Sequence, residues 1–520
     1  MKHLFYTLSL AILVLPISAT SKSKKTVTSQ LTKIQSVYST LDPKSLIQHL
    51  AFYELYPETE EGKKALATAW DLLLGEHTSE QKALELPPLD VYSIISLVNK
   101  SSTDTEITVS KDQLSILERA GKRLENRELD GFKVWTKKEV LALPNEEIDL
   151  ARALLIYQFE GDLDAKQKIN QYEATLDLMA LHISAHMKKN ASAEEMISEM
   201  NAFIFQDMRF RFPPHSIYAK DIDLYTFLPS VLDSRLGVCL GVSTLYLCLA
   251  QRIGLSLDIV TPPGHIYLSH NDGHKIINIE TTARGINMPS ETYLGMNTSQ
   301  LQKRNRKEVI GLAFFNQASV MSGREDFAGA ITLYQIALEY VPGDPLFKML
   351  LGLHYLFNGQ IPEGKALLKE ISKIRFEGAI TQETLPEDFL TGRVDVKGIQ
   401  TVFLPVDETR DSIIKKQNTL KAHLKTFPKF RAGLFQLATS YLQLGRMQEA
   451  YEVLIKYHKL DPTHPIVEYY LAVICMQRYD YVKAWSFYHI LENILKEHQH
   501  EPKALKELRS TLQRICPTSF

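Results

Sequence analysis

DSRLGVCLGVSTLYLCLAQRIGLSLDIVTPPGHIYLSHNDGHKIINIETTARG, from Asp233 to Gly285, is the stretch whose reading decides the fold. Cys239 follows Leu236-Gly237-Val238, and Leu240 to Ile253 are apolar on almost every side. A helix without a polar face is a buried one, so this segment reads as the central helix of its domain. A thiol at the mouth of such a helix meets a positive field and outward-pointing backbone N–H groups. Both favour thiolate, the reactive form. Cys248 lies further along the same helix and roughly 900° around it, on the opposite face, where a small apolar residue is expected. The two cysteines therefore cannot pair with each other.

Asp272-Gly273 is a strong turn signal between Ile266-Tyr267-Leu268 and Ile276-Ile277-Asn278-Ile279, which predicts a hairpin. If those two residues form the loop, His265 faces Glu280 directly, with Cβ atoms roughly 4.5–5.5 Å apart. Alternation sends Ile266, Leu268, Ile277 and Ile279 to one face, and His265, Tyr267, Ser269, Asn278 and Glu280 to the other. A polar face carrying an imidazole and a carboxylate suits a Cys–His–acid site. The thiolate attacks, the imidazole moves the proton, and the carboxylate fixes the tautomer and stabilises imidazolium. A slip of one residue would separate His265 from Glu280.

A helix-capping Cys, then His on a strand, then an acid on the next strand resembles the transglutaminase-like superfamily of papain-like cysteine enzymes. The chain looks similar to its bacterial SirB-type branch, in which tetratricopeptide (TPR) repeats often follow the core. The residues that carry the match are Leu232-x-x-Arg235-x-Gly237-Val238-Cys239, Ala250-x-Arg252-x-Gly254-Leu255, Pro263-Gly264-His265, Asn278-x-Glu280-Thr281-Thr282 and Gly285. The similarity runs from about Ile169 to Gly285. It implies Cys239 as nucleophile, His265 as base and Glu280 as orienting acid. Two departures matter. The acid is Glu where the wider superfamily usually has Asp, one methylene shorter, and some SirB-type proteins lack the cysteine that is present here.

The whole chain of 520 residues has room for several domains, and a net charge of −2 makes no electrostatic case for nucleic acid. Lys2, the apolar run Leu4 to Val14, and Ser18-Ala19 read as a secretory signal peptide, because the run is too short to cross a bilayer. Export, to the periplasm or beyond if the source is bacterial, is the expectation. Four cysteines in so long a chain do not suggest a disulfide framework, although Cys475 and Cys516 are free to pair by composition alone. His182 and His186 have helical ligand spacing, but with no third ligand in view they read as a solvated flank. The segment Phe210 to Leu228, with Tyr218 and Tyr225, would wall a cleft or pack in the core. No Walker A loop, zinc-type cysteine spacing or HExxH occurs, so neither a metal nor a nucleotide cofactor is expected.

Before the core, Thr136-x-x-Glu139 is a capping box, and Asn145 with Glu146, Glu147 and Asp149 opens the helix through Ala153-Leu154-Leu155. Ser192-x-x-Glu195 caps another helix. Beyond Ser290 the period changes. Phe314, Ala318, Ala330, Tyr334 and Ala337 fall on the sites of a TPR repeat that ends at Pro342, and Leu351-Gly352-x-x-Tyr355 starts a second. Leu437-Ala438-x-x-Tyr441 with Ala450 marks a third, and Leu471-Ala472 with Ala484 and Tyr488 a fourth. Small residues there let paired helices approach closely, so that stacked neighbours bury a continuous core.

The expected fold class is α+β: a helical chain, a transglutaminase-like core with a small antiparallel sheet on a central helix, and a C-terminal TPR solenoid. The expected division is signal peptide 1–19, flexible leader 20–34, helical region 35–168, core 169–300, two repeats 301–375, an insertion with one helix 376–428, two more repeats 429–496, and a capping helix with tail 497–520. The leading function is an exported cysteine hydrolase or acyl transferase acting on an amide bond, with the repeats binding a protein or peptide. The rival is a non-catalytic scaffold that keeps the fold and binds partners through the array.

Overall fold

A computed structural model describes residues 33–75, 77–85, 111–188, 190–213, 225–407 and 409–517. The expected signal peptide, nearly all of the expected leader, and Tyr218 lie outside the described residues. The chain divides into two compact units, Met1–Val91 and Tyr92–Phe520.

In the first unit, α1 (Leu46–Leu55) and α2 (Glu60–Leu74) pack on each other. Ser45 and Thr59 cap them by accepting from Gln48 N and Gly62 N, so each helix start loses an orphan donor. Leu50 of α1 and Ala65, Trp70 and Leu73 of α2 are buried.

The second unit opens with α3 (Lys111–Gly121), a short helix Lys137–Ala142 that carries the Thr136–Glu139 capping box, and α4 (Leu150–Gln158). The cap of α4 is Asp149, which accepts from Arg152 N; Asn145–Glu147 form a separate 3-10 turn and do not open the helix. Next come α5 (Ala165–His186), α6 (Ala193–Asn201) behind the Ser192–Glu195 capping box, α7 (Leu228–Ser234) and α8 (Cys239–Arg252). Every residue of α8 after Cys239 is buried, as an apolar all-round helix must be. His182 and His186 are not a solvated flank: both are half-buried, with rings 4.5 Å apart, and His182 packs 4.8 Å from Phe203.

Four strands follow, β1 (Asp258–Thr261), β2 (Tyr267–Asn271), β3 (Ile276–Ile279) and β4 (Gln302–Arg304), in the antiparallel order β3-β2-β1-β4. The hairpin register differs from expectation by two residues. Leu268 pairs with Ile279 and Asn271 with Ile276, leaving a four-residue loop, Asp272 to Lys275. The Asp272 carboxylate accepts from His274 N and Lys275 N at 2.8 and 2.7 Å, which favours the wider turn over a two-residue one. A shift of two preserves face parity, so His265 and Glu280 stay on one side, though not directly opposed.

Behind α8 lies a buried ionic cluster. Arg252, fully buried, donates from Nε to Asp177 at 2.8 Å, and Arg127 reaches the other oxygen of the same carboxylate. Arg152 grips Glu173 through two bonds of 2.7 and 2.6 Å. Paired charges of this kind lock α4, α5 and α8 together, because each would be costly alone.

The remainder is helical. Repeat pairs are α9 (Arg306–Gly323) with α10 (Phe327–Tyr340), and α11 (Pro345–Phe357) with α12 (Ile361–Ile371). The insertion holds three helices where one was expected: α13 (Leu385–Leu390), α14 (Val396–Val402) and α15 (Arg410–Thr426). Two more pairs complete the array, α16 (Arg431–Gln443) with α17 (Met447–Leu460), and α18 (Pro465–Gln477) with α19 (Tyr481–Glu497), followed by α20 (Lys503–Ile515). Ala318, Ala330, Ala337, Ala438, Ala450, Ala472 and Ala484 are all buried, which is how the paired helices come close. Cys475 and Cys516 are not joined in a disulfide.

Candidate active site

Cys239 is the first residue of α8, after Val238 as N-cap, and its side chain is partly exposed. Two contacts fix this start. Val238 N donates to Tyr225 O at 3.0 Å, and Gly241 lets that carbonyl approach, since a Cβ there would lie 2.2 Å from it. Tyr225 thus acts on α8 through its backbone and does not line the cleft. Cys248, by contrast, is fully buried, and burial pushes its thiol up.

His265 sits just before β2, at the end of a tight turn in which His265 N donates to Pro262 O at 3.0 Å. Pro263 and Gly264 fill the middle of that turn, and Gly264 at φ +72° supplies the left-handed residue it requires. Glu280 directly follows β3, and its backbone N–H donates to Ile286 O at 3.1 Å. Gly285, at φ +77°, lies tight against Asn201, where a Cβ would fall 2.3 Å from Oδ1.

These elements bring the three side chains together. Glu280 Oε2 lies 2.7 Å from His265 Nε2, and Cys239 and His265 line one cavity side by side. Burial works against a charged imidazole, but attraction from Cys239 and Glu280 outweighs it and pushes His265 up to about 9. Burial also opposes the Glu280 carboxylate, yet bonds from His265, Thr282 and Tyr293 hold it down at about 2.

Two of those partners went unseen in the sequence. Thr282 donates to Glu280 Oε1 from its N–H at 3.1 Å and from its hydroxyl at 2.5 Å. A hydroxyl two residues beyond a carboxylate is a local turn signal that would have found it. Tyr293 donates to Glu280 Oε2 and stacks between His265 and Tyr267, with centroids 5.6 and 4.8 Å away. Nothing periodic marks Tyr293, which reaches the site from a 3-10 turn, Ser290–Tyr293. Ser243 on α8 bonds Thr281 at 2.9 Å, tying the helix to the segment that carries the acid.

A cavity of about 440 Å³ opens beside Cys239 and His265. The Thr261 to Ile266 turn forms one side; Leu312, Phe315 and Asn316 of α9 and Phe347 of α11 form another. Phe376 to Ala379 of the insertion and Ile466 of α18 complete it. Among the described residues no cluster of three His, Cys, Asp or Glu side chains is placed to hold a metal ion. No described helix is long and apolar enough to cross a membrane.

Residues 170–310 match the family model of the transglutaminase-like superfamily. The transglutaminase-like domain therefore spans α5 to the start of α9, and includes Cys239, His265 and Glu280. No curated protein matches the chain. Solved structures similar to it include a thermophilic TPR protein of Thermus thermophilus, 18% identical over 40% of this chain and 100% of that one, TM-score 0.20. Another is YrrB, a TPR protein with an unusual peptide-binding site, 15% identical over 38% and 92%, TM-score 0.20. A third is a double mutant of MamA RS-1, 14% identical over 37% and 97%, TM-score 0.20. With scores of that size, the repeat assignment rests on the helix pairs beyond the transglutaminase-like domain and on the small residues buried between them.

Proposed function

We propose that the chain is a cysteine enzyme of the SirB-type branch that attacks an amide bond, exported by its first nineteen residues, with its repeats holding a peptide or protein. One observation carries this reading: an imidazole bonded to a buried carboxylate stands with a thiol at a helix start on the lining of one largely apolar cavity. Cys239 Sγ attacks the carbonyl carbon, and the C–N bond breaks as His265 hands its proton to the departing amine. A thioester on Cys239 remains. Water or an amine, deprotonated by His265, then displaces the sulfur and returns the free thiol. Glu280 keeps the imidazole in the useful tautomer throughout. The backbone N–H of Cys239, free at the first position of α8, is the natural donor to the developing oxyanion.

Labelling by a thiol-directed electrophile at neutral pH is the test, comparing the wild type with Cys239→Ala and His265→Ala. Labelling should disappear in the first and slow by about a hundredfold in the second. Equal rates in wild type and His265→Ala would leave a scaffold that keeps the fold without the chemistry.

A further inference from the structure

We propose that the cavity beside Cys239 is a side-chain pocket for a bulky uncharged residue of a peptide amide, and that helices of the first two repeats set this preference. The inference deepens the reading above by naming its substrate class, but the binding it describes does not depend on a reactive thiol.

The wall facing the Pro262 to Gly264 turn is apolar and held in place. Leu312 and Phe315 come from α9 and Phe347 from α11. Phe315 stacks on Phe347, centroids 4.3 Å apart, and meets Tyr334 edge-on at 5.6 Å. Phe347 is itself fixed in the repeat core. Such a wall exists before any ligand arrives, so little ordering cost attends binding.

Most of the polar groups on the other side of the cavity have partners within the chain, although Arg304 Nε is buried without one. Arg304 and Asp344 pair with each other at 2.8 Å, and Asp344 also caps α11 by accepting from Leu346 N and Phe347 N. Glu377 accepts from Gln302 Nε2 at 3.2 Å. A charged side chain seated against Leu312, Phe315 and Phe347 would lose its water to an apolar wall, whereas an apolar one loses nothing there. Two of the amides on the rim are engaged: Asn316 donates to Thr226 at 3.0 Å, and Asn297 accepts from Thr381 at 2.8 and 2.9 Å. The volume of about 440 Å³ sits within the roughly 300–1,000 Å³ of ligand pockets, room for a large side chain with its adjoining backbone.

The test uses the full chain carrying Cys239→Ala, so that affinity is read without chemistry. N-acetyl amino-acid amides of Phe, Leu, Asp and Lys are titrated against it and followed by ligand-observed NMR. Phe and Leu should bind about tenfold tighter than Asp and Lys, or better. Adding Leu312→Glu should weaken the Phe compound about tenfold and tighten the Lys compound. Leu346→Glu, also on the cavity wall, gives the same comparison if Leu312→Glu does not fold. Equal affinity for all four compounds, no binding by any, or a Phe preference that survives both substitutions would overturn the pocket. Thiol labelling that ignores His265 would sink the chemistry alone, while these affinities still decide the pocket.

Discussion

The ring of Tyr293 lies parallel to that of His265, 5.6 Å away with planes 22° apart, while its hydroxyl donates to the Glu280 oxygen that His265 also engages. One aromatic side chain thus supports the imidazole by its face and the carboxylate by its tip. Burial and that bond to Glu280 hold the phenol well above its usual range, so it remains a donor wherever the site works. The first prediction separates the two roles. Tyr293→Phe keeps the stacking and frees Glu280 Oε2 for His265, so the His265 titration should rise from about 9. Glu280→Gln should lower it, and the double variant Cys239→Ala/Glu280→Gln should bring it below 6.5, because burial alone then acts. Imidazole proton shifts in an NMR pH titration report each value.

A second prediction concerns stability against pH. The folded His265 value lies above its unfolded value, so its stabilising contribution is complete below about 6.5 and lost as pH rises through about 9. Glu280 has the opposite sign, its contribution disappearing only as pH falls through about 2, and does not interfere in that window. The difference in unfolding free energy between wild type and His265→Gln should therefore shrink by up to about 3 kcal/mol between pH 6 and 10. Urea melts at each pH measure it; a difference that grows with pH would contradict the assigned ionisation.

Thirdly, Asp177→Ala should cost about 3–5 kcal/mol, because it leaves the fully buried Arg252 without its counter-charge. Asp258→Ala, which breaks an exposed pair with Lys303, should cost less than about 1 kcal/mol. Denaturant midpoints of the two variants provide the contrast.

The fourth prediction is steric. Gly241→Ala would bring a methyl to 2.2 Å from Tyr225 O, so α8 or the Tyr225 segment must move. A loss of about 1–3 kcal/mol is expected, together with slower labelling of Cys239, since the thiol lies in the same helical turn. Unchanged labelling would show that Cys239 is positioned independently of Tyr225.

Much of this was legible because its cause is periodic. The apolar circuit from Leu240 to Ile253 could only be a buried helix, and the alanines of the repeats recur where helices must touch. Two-residue alternation kept His265 and Glu280 on one face even though the register was read two residues short. What escaped has no period. β4 is the polar tripeptide Gln302–Arg304, an edge strand with no pattern of its own. α13 and α14 are short helices that begin at Leu385-Pro386 and Val396, under tertiary packing. Tyr293 enters through a loop, where only the folded chain brings it within reach of Glu280.

The cavity walls lie far apart in order of synthesis. Cys239 and the His265 turn come first, α9 and α11 follow, and Ile466 is close to the end of the chain. At about 5–20 residues per second, the ribosome delivers Cys239 tens of seconds before the last wall residue. A nascent or prematurely ended chain would carry the thiol and its imidazole in an open trough, with nothing to choose what enters. Completion of the array is then the step that closes the cavity beside the thiol.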